Sequence, residues 1–533
     1  MMSFQTTVKN FMVNKNDQEF EHDLMEKEDD NHKKNEILKI FSSNNIKSFI
    51  YTIFILFGII GAYYLILSLV SLMWGPMVGG PPAGGNPPLG GSQNSPLEGN
   101  GINIWPFWGT FSLPSVFELL LFAIIILGFV IVIQYYYGNK PRRLNIYIIV
   151  LFGTLLIIFT NLINGWDMGI VSSIGGNGEI YIDAVQISNP ISFISDYESL
   201  QDFLTVHART HPPGAVLTIY LLYLLFGSPG IIAIAICVIS ALFSAYFLNG
   251  IFKKFFEGEI PKYMVFLYLL LPAIQVYYLA NIYAIVATLI IGVIYFYFRE
   301  NKIISVIGCI FCGFLASFIS FMALFIVGCL CFYELFNLRR KGLLRRNAFF
   351  TKEGIKNMFK DSQRLLTMIV GIIGIYGILQ FSLGFNYINS FITAMAAETT
   401  QGWELISNPF EYFTTRIKNI MDILMFFGPV LIVLFYQGFK SLKNEKLLND
   451  TSAQLYHLVS AAIITLLIIF VLGAYDHGET ARAAIFIYPF LLIPVAIYMN
   501  NSNSRILRSE FGLLLIIVFG QAIVMQLIGN YVW

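Results

Sequence analysis

AVLTIYLLYLLF, residues 215–226, is apolar throughout and yet too short to cross a bilayer. At about 1.5 Å per residue a helix of that length reaches roughly 18 Å, against a hydrocarbon core of about 30 Å. The 533-residue chain around it is 56% hydrophobic and 12% charged, with a mean hydropathy of +0.69. A soluble globule needs a polar shell that this composition cannot supply, so the fold class is an all-α polytopic membrane protein. Apolar runs read as spans lie near 48–73, 114–137, 144–163, 229–250, 263–280, 282–298, 302–318, 320–337, 366–384, 418–438, 456–474, 482–499 and 511–530. That reading gives about 13 transmembrane helices.

Loop charge sets the orientation, because Lys and Arg collect on the cytoplasmic side. Lys33, Lys34, Lys39 and Lys47 place the N-terminus inside, and alternation then puts NKPRR (139–143), FKKFF (252–256), RRKGLLRR (339–346) and KSLKNEK (440–446) inside as well. This agreement requires 215–226 to lie in the outer interface, since one more crossing would send Lys253, Lys254 and each later basic loop outside. The expected location is a cell membrane crossed many times, with the large segments 74–113, 164–228 and 385–417 on the outer face.

Three regions follow. Residues 1–47 are polar and mixed in charge, without the apolar core of a signal peptide, and read as a disordered cytoplasmic tail. Residues 48–143 read as a two-helix extension around a Gly/Pro-rich outer loop, and residues 144–533 as the transmembrane core. The net charge of +1 forms no basic face for nucleic acid. All five cysteines sit in apolar runs; CIFC at 309–312 has redox or zinc spacing but no charged or His neighbour, and is read as packing.

The outer face carries few cations, among them Arg209, Arg416, Lys418 and Arg482, each beside a helix end, under a surplus of acids that includes Asp167, Glu179, Asp183 and Glu479. Cations at headgroup depth with carboxylates above them suit a substrate with an apolar tail, a phosphate and a polar sugar. Asp167 follows a span at once and has the place of a catalytic base, or of a turn-capping acid; Asp183 is the rival base. In HARTHPPG (207–214), His207 and His211 have the i, i+4 spacing of paired metal ligands, but Pro212 pushes His211 out of the α region. The Pro-Pro-Gly turn instead fixes entry into the interfacial helix and holds Arg209 and His211 toward the site, or else is only a rigid turn. No metal ligand is assigned; a divalent ion stays an open alternative. In AYDHGETARAAIF (474–486), Asp476, His477, Glu479 and Arg482 are costly at a membrane boundary unless paired or used: Glu479 and Arg482 form a capping pair, or Arg482 binds a lipid phosphate.

Asp167 at a helix end, the loop closing on THPPG (210–214), the helix ending in FGSPG (226–230) and the late GETARAAIFIYPFLLIP (478–494) together resemble the polytopic GT-C glycosyltransferases, in particular the group of protein mannosyltransferases and aminoarabinose transferases. The resemblance covers residues 144–533 loosely. It implies inverting transfer of a sugar from a polyprenyl-phosphate donor to a lipid, glycan or protein acceptor on the outer face. Asp167 would be the base, Arg482 would hold the donor phosphate, and His207 and His211 would line the pocket. No Asp-Glu pair follows the first core helix, which leaves Asp167 and Asp183 as alternatives, and two extra spans precede the core. The rival reading is a transporter or flippase, which would place ionisable groups at mid-membrane near helix breaks.

Overall fold

In the computed structural model, residues 102–103, 110–111, 113–137, 145–176, 178–344, 351–398, 404–446, 449–475, 478–501 and 508–531 are described. The expectations for the tail 1–47, the span 48–73, most of the Gly/Pro loop and His477 lie outside them. The described residues are helical and irregular, apart from three two-residue strands among them, β1 (Ile102–Asn103), β2 (Thr110–Phe111) and β3 (Gly529–Asn530), paired antiparallel in that order.

Among the described residues eight helices are long and apolar enough to cross a membrane. They include α1 (Val116–Tyr137), α2 (Ile146–Asn161, with a 3-10 turn to Asn164), α4 (Pro229–Phe255), α8 (Lys302–Ile319), α9 (Leu324–Arg340), α11 (Gln363–Leu383), α15 (Asp450–Val471) and α18 (Arg508–Ile528). Between them stand shorter helices: α3 (Pro213–Phe226), α5 (Ile260–Leu270), α6 (Pro272–Tyr277), α7 (Ile282–Tyr297), α10 (Lys352–Asp361), α12 (Tyr387–Glu398), α13 (Pro409–Phe427), α14 (Pro429–Glu445), α16 (Thr480–Ala483) and α17 (Tyr488–Asn501). The stretch 215–226 is thus a separate short helix, started by Pro212 and Pro213 and closed at Gly227.

Four expected spans are corrected. Residues 263–280 are no single helix, because Pro272 has no N–H and cannot continue α5; the chain breaks at Leu271. Residues 418–438 split at Gly428–Pro429 into α13 and α14, bent by 96°. Residues 482–499 begin as α16 and a 3-10 turn before α17. Residues 282–298 form α7, whose 16 residues fall short of a full straight crossing.

Both proline breaks are repaired by glutamine. Pro429 cannot donate to the carbonyl of Met425, and Gln521 on α18 donates to it instead at 2.7 Å. Next to Pro272, the amide of Gln275 donates to the Leu269 carbonyl at 2.6 Å. In apolar surroundings a freed carbonyl needs such a partner.

Helix α13 inverts the usual soluble pattern: Phe413 and Ile417 are 59% and 47% exposed, while Arg416, Asn419 and Asp422 are buried. Its apolar stripe faces outward and its polar stripe faces the bundle. Helix α14 packs on α17 with almost no gap, since a Cβ at Gly438 would lie 1.8 Å from the Pro494 carbonyl oxygen. Gly438→Val therefore has to push two backbones apart. Thermal unfolding in detergent should show a loss of about 3 kcal/mol, and an unchanged melting temperature would mean that these helices do not meet at residue 438.

Candidate functional site

Helices α2, α6 and α18 end, and α7 begins, at one end of the bundle, around a cavity of about 830 Å³ including its open mouth. Its floor is an amide network set by the Pro272 break. Asn161 donates to the Gln275 carbonyl at 2.8 Å, Gln526 donates to the Asn161 side chain at 3.0 Å, and Thr160 donates to Oε1 of Gln275 at 3.1 Å. Ala280, on the wall, has φ of 60°, a left-handed conformation that a residue with a Cβ rarely adopts.

The roof is the segment 165–212, folded into short turns. Fully buried Tyr197 donates its hydroxyl to the Ala208 and His211 carbonyls, and Gln201 donates to the Arg209 and Ser390 carbonyls at 2.8 and 3.0 Å. Asp183 accepts from the backbone and hydroxyl of Thr205, which fixes the turn Val206–Arg209. Gly214 lets the THPPG turn press on α8, where a Cβ would lie 2.2 Å from the Phe318 carbonyl oxygen.

Besides three tyrosines, four ionisable groups line the cavity: Glu179, His207, His211 and Arg482. Burial pushes the Glu179 carboxyl up to about 7, against the opposing pull of the Arg482 guanidinium. Burial, and then Arg482, hold His207 at about 4; burial, and then His207, hold His211 at about 4. Both imidazoles are neutral at pH 7. Nδ1 of His211 lies 2.8 Å from the His207 carbonyl, and a carbonyl only accepts, so Nδ1 carries the proton. Its bare Nε2 is buried without a hydrogen-bond partner and is left to accept from a ligand hydroxyl. Nε2 of His207 stands 3.7 Å from Glu179. Arg482 lies 3.4 Å from Glu479 on the short helix α16, whose Ala481 N–H donates to buried Asp422 at 2.7 Å.

The residues named from sequence are therefore only partly brought together. His207, His211 and Arg482 converge, with Glu479 paired to Arg482. Asp167 is exposed and stands outside the lining, although Met168 and Gly169 belong to it. Asp183 is half-buried and engaged with Thr205, and raised by that burial. Arg209 is half-buried outside the lining. Arg416 is buried, donating to the carbonyls of Phe470 and Ala474 over the Tyr412 ring, where it joins α13 to the end of α15. The Glu179 position and the amide floor were not singled out from sequence; the available signal was amides inside apolar runs beside a mid-span proline. Among the described residues no three His, Cys, Asp or Glu side chains gather as metal ligands.

The chain matches no family model, no curated protein and no solved structure.

The raised Glu179 carboxyl has a signed consequence. The folded state holds that proton more tightly than the unfolded chain, so the stability it contributes is full below the ordinary carboxylate range and is lost as pH rises through about 7. Glu179→Gln should raise the melting temperature at pH 8 and change it little at pH 5. Equal effects at both values would rule out a buried proton at this position.

Proposed function

We propose that this protein is a GT-C-like membrane glycosyltransferase. It takes a sugar from a polyprenyl-phosphate donor and passes it, with inversion, to a lipid, glycan or protein acceptor on the non-cytoplasmic side of the cell membrane. The observation that carries this reading is the single cavity in which residues from the 165–212 loop and from α16, far apart in sequence, present one carboxyl, two neutral imidazoles and one guanidinium over an amide floor. Amides and a bare imidazole nitrogen suit sugar hydroxyls, and a lone guanidinium suits a phosphate. In this reading the broken and shorter apolar helices lie within the membrane beside the eight long ones, and α3 rests in the outer interface.

Glu179 is the base that the geometry favours over Asp167 and Asp183, because it alone of the three lines the cavity and its proton affinity is poised near neutrality. It takes the proton of the acceptor hydroxyl. The acceptor oxygen bonds to the anomeric carbon as the bond from that carbon to the phosphate oxygen breaks. The electron pair goes to the polyprenyl phosphate, whose added charge Arg482 meets. His211 Nε2 orients the sugar by accepting one of its hydroxyls.

A transporter reading also has an observation behind it, the 96° break and the buried Arg416 and Asp422 on α13. Those groups are, however, engaged with backbone at one end of the bundle.

Purified protein given a panel of polyprenyl-phosphate sugars should release polyprenyl phosphate in the presence of acceptor, with kcat/KM rising through about pH 7. Glu179→Gln should lose roughly 10²- to 10⁴-fold of that rate, and Asp167→Asn should retain it. The opposite pattern returns the base role to Asp167, and uptake of solute without any transfer by the wild type replaces the enzyme reading with the transporter.

A further inference from the structure

The other end of the bundle holds a second arrangement of charge. Helices α8 and α11 run parallel, since Ile310 lies against Gly371, Gly313 against Ile372 and Ser317 against Tyr376, its hydroxyl at 2.9 Å, so their first turns lie together. Phe318 and Phe385 meet near Tyr197 under the roof of the cavity, which places Lys302 and Arg364 at the remote end.

Two hollows open there. One is lined by Lys254, Arg340, Lys341 and Arg364, and each of these cations is already engaged, Arg364 by donating to the Tyr297 carbonyl at 2.8 Å. Lys254 donates to the Phe298 carbonyl at 2.6 Å, Arg340 pairs with Asp450 at 2.6 Å, and Lys341 pairs with Asp361 at 2.8 Å. The other is a groove of about 820 Å³, open space included, between the first turns of α8 and α11, where Lys302, Lys360 and Arg364 converge. Its one acid, Asp361, is held by Lys341, and neither Lys302 nor Lys360 has an acidic partner among the described residues. Lys302 and Lys360 give the groove its spare cationic capacity, with Arg364 held beside them by the Tyr297 carbonyl.

Its walls continue into apolar rows. Ile303, Ile307 and Phe311 on α8 are 71%, 62% and 61% exposed, and Val370 and Ile373 on α11 are 68% and 65% exposed. Beside them α10 repeats Lys352, Lys356 and Lys360 along one line and bares Phe359 next to it, the pattern of a helix lying on a membrane surface. Converging cations at the headgroup level, above two exposed aliphatic rows, complement a molecule with an anionic head and two acyl chains.

We infer that this groove is a binding site for an anionic phospholipid, with the phosphate held by Lys302, Lys360 and Arg364 and the acyl chains lying along α8 and α11. The site is independent of the proposed transfer chemistry, being at the opposite end of the bundle.

The test is native mass spectrometry of the full chain in detergent, titrated with phosphatidylglycerol and, separately, with phosphatidylcholine of the same acyl chains. The wild type should retain phosphatidylglycerol preferentially, and Lys302→Gln with Lys360→Gln should weaken that retention roughly tenfold. Each single variant should lose part of it, which reads the same site if the double variant folds poorly. Lys352→Gln with Lys356→Gln removes the same charge from α10 outside the groove and should retain the lipid. Equal losses in both pairs would reduce the effect to diffuse surface charge and overturn the site, as would no loss in either. Displacement of the lipid from the wild type by millimolar inorganic phosphate would overturn it in favour of a free-anion site.

Discussion

A backbone carbonyl left without a donor in an apolar medium costs several kcal/mol, and two of the places where proline creates that problem shape the architecture of this protein. At Pro429 the amide of Gln521 stands in for the missing N–H, and beside Pro272 the amide of Gln275 satisfies the neighbouring Leu269 carbonyl. Each repair ties a broken element to a partner with only one register available. The repair at Gln275 also draws in Asn161, Thr160 and Gln526, so that the hydrogen bonds that make a broken helix tolerable are the ones that give the cavity a polar floor. Structure and site thus share a cause.

The electrostatics of the cavity follow from the same dryness. Burial holds Glu179, His207 and His211 in or near the neutral form, which leaves Arg482 as the cation of the lining, with Glu479 3.4 Å away as its partner. An anion entering there shares the guanidinium with that one side chain. The carboxyl that is half-protonated near neutrality is close enough to exchange protons with water at the mouth and buried enough to hold one between events.

Much of the helical layout was legible in the chain. Eight apolar runs became eight long helices, because in such runs length and hydropathy leave few alternatives. The runs at 263–280 and 418–438 misled for one reason: hydropathy averages over a window and does not see that a single Pro272 or Pro429 removes a donor. The turn at 207–214 and Arg482 were visible as charge where charge is expensive, and the structure brings them to one cavity. Glu179 was not distinguishable from its acidic neighbours, since its role comes from burial by segments distant in sequence. Asp167 stood out by its place after a span, yet one residue of rotation separates it from the lining that Met168 reaches.

Helix α13 carries a practical corollary. With Phe413 and Ile417 turned outward and Arg416, Asn419 and Asp422 turned in, the segment from 409 to 427 is built inside out for water. Cut away and expressed alone, it would show solvent its greasy flank while its charges lost their carbonyl and amide companions. The region after α12 is therefore no detachable ectodomain but masonry of the bundle itself, and excising 409–427 from the chain would take away the Asp422 carboxylate that holds α16 in its place.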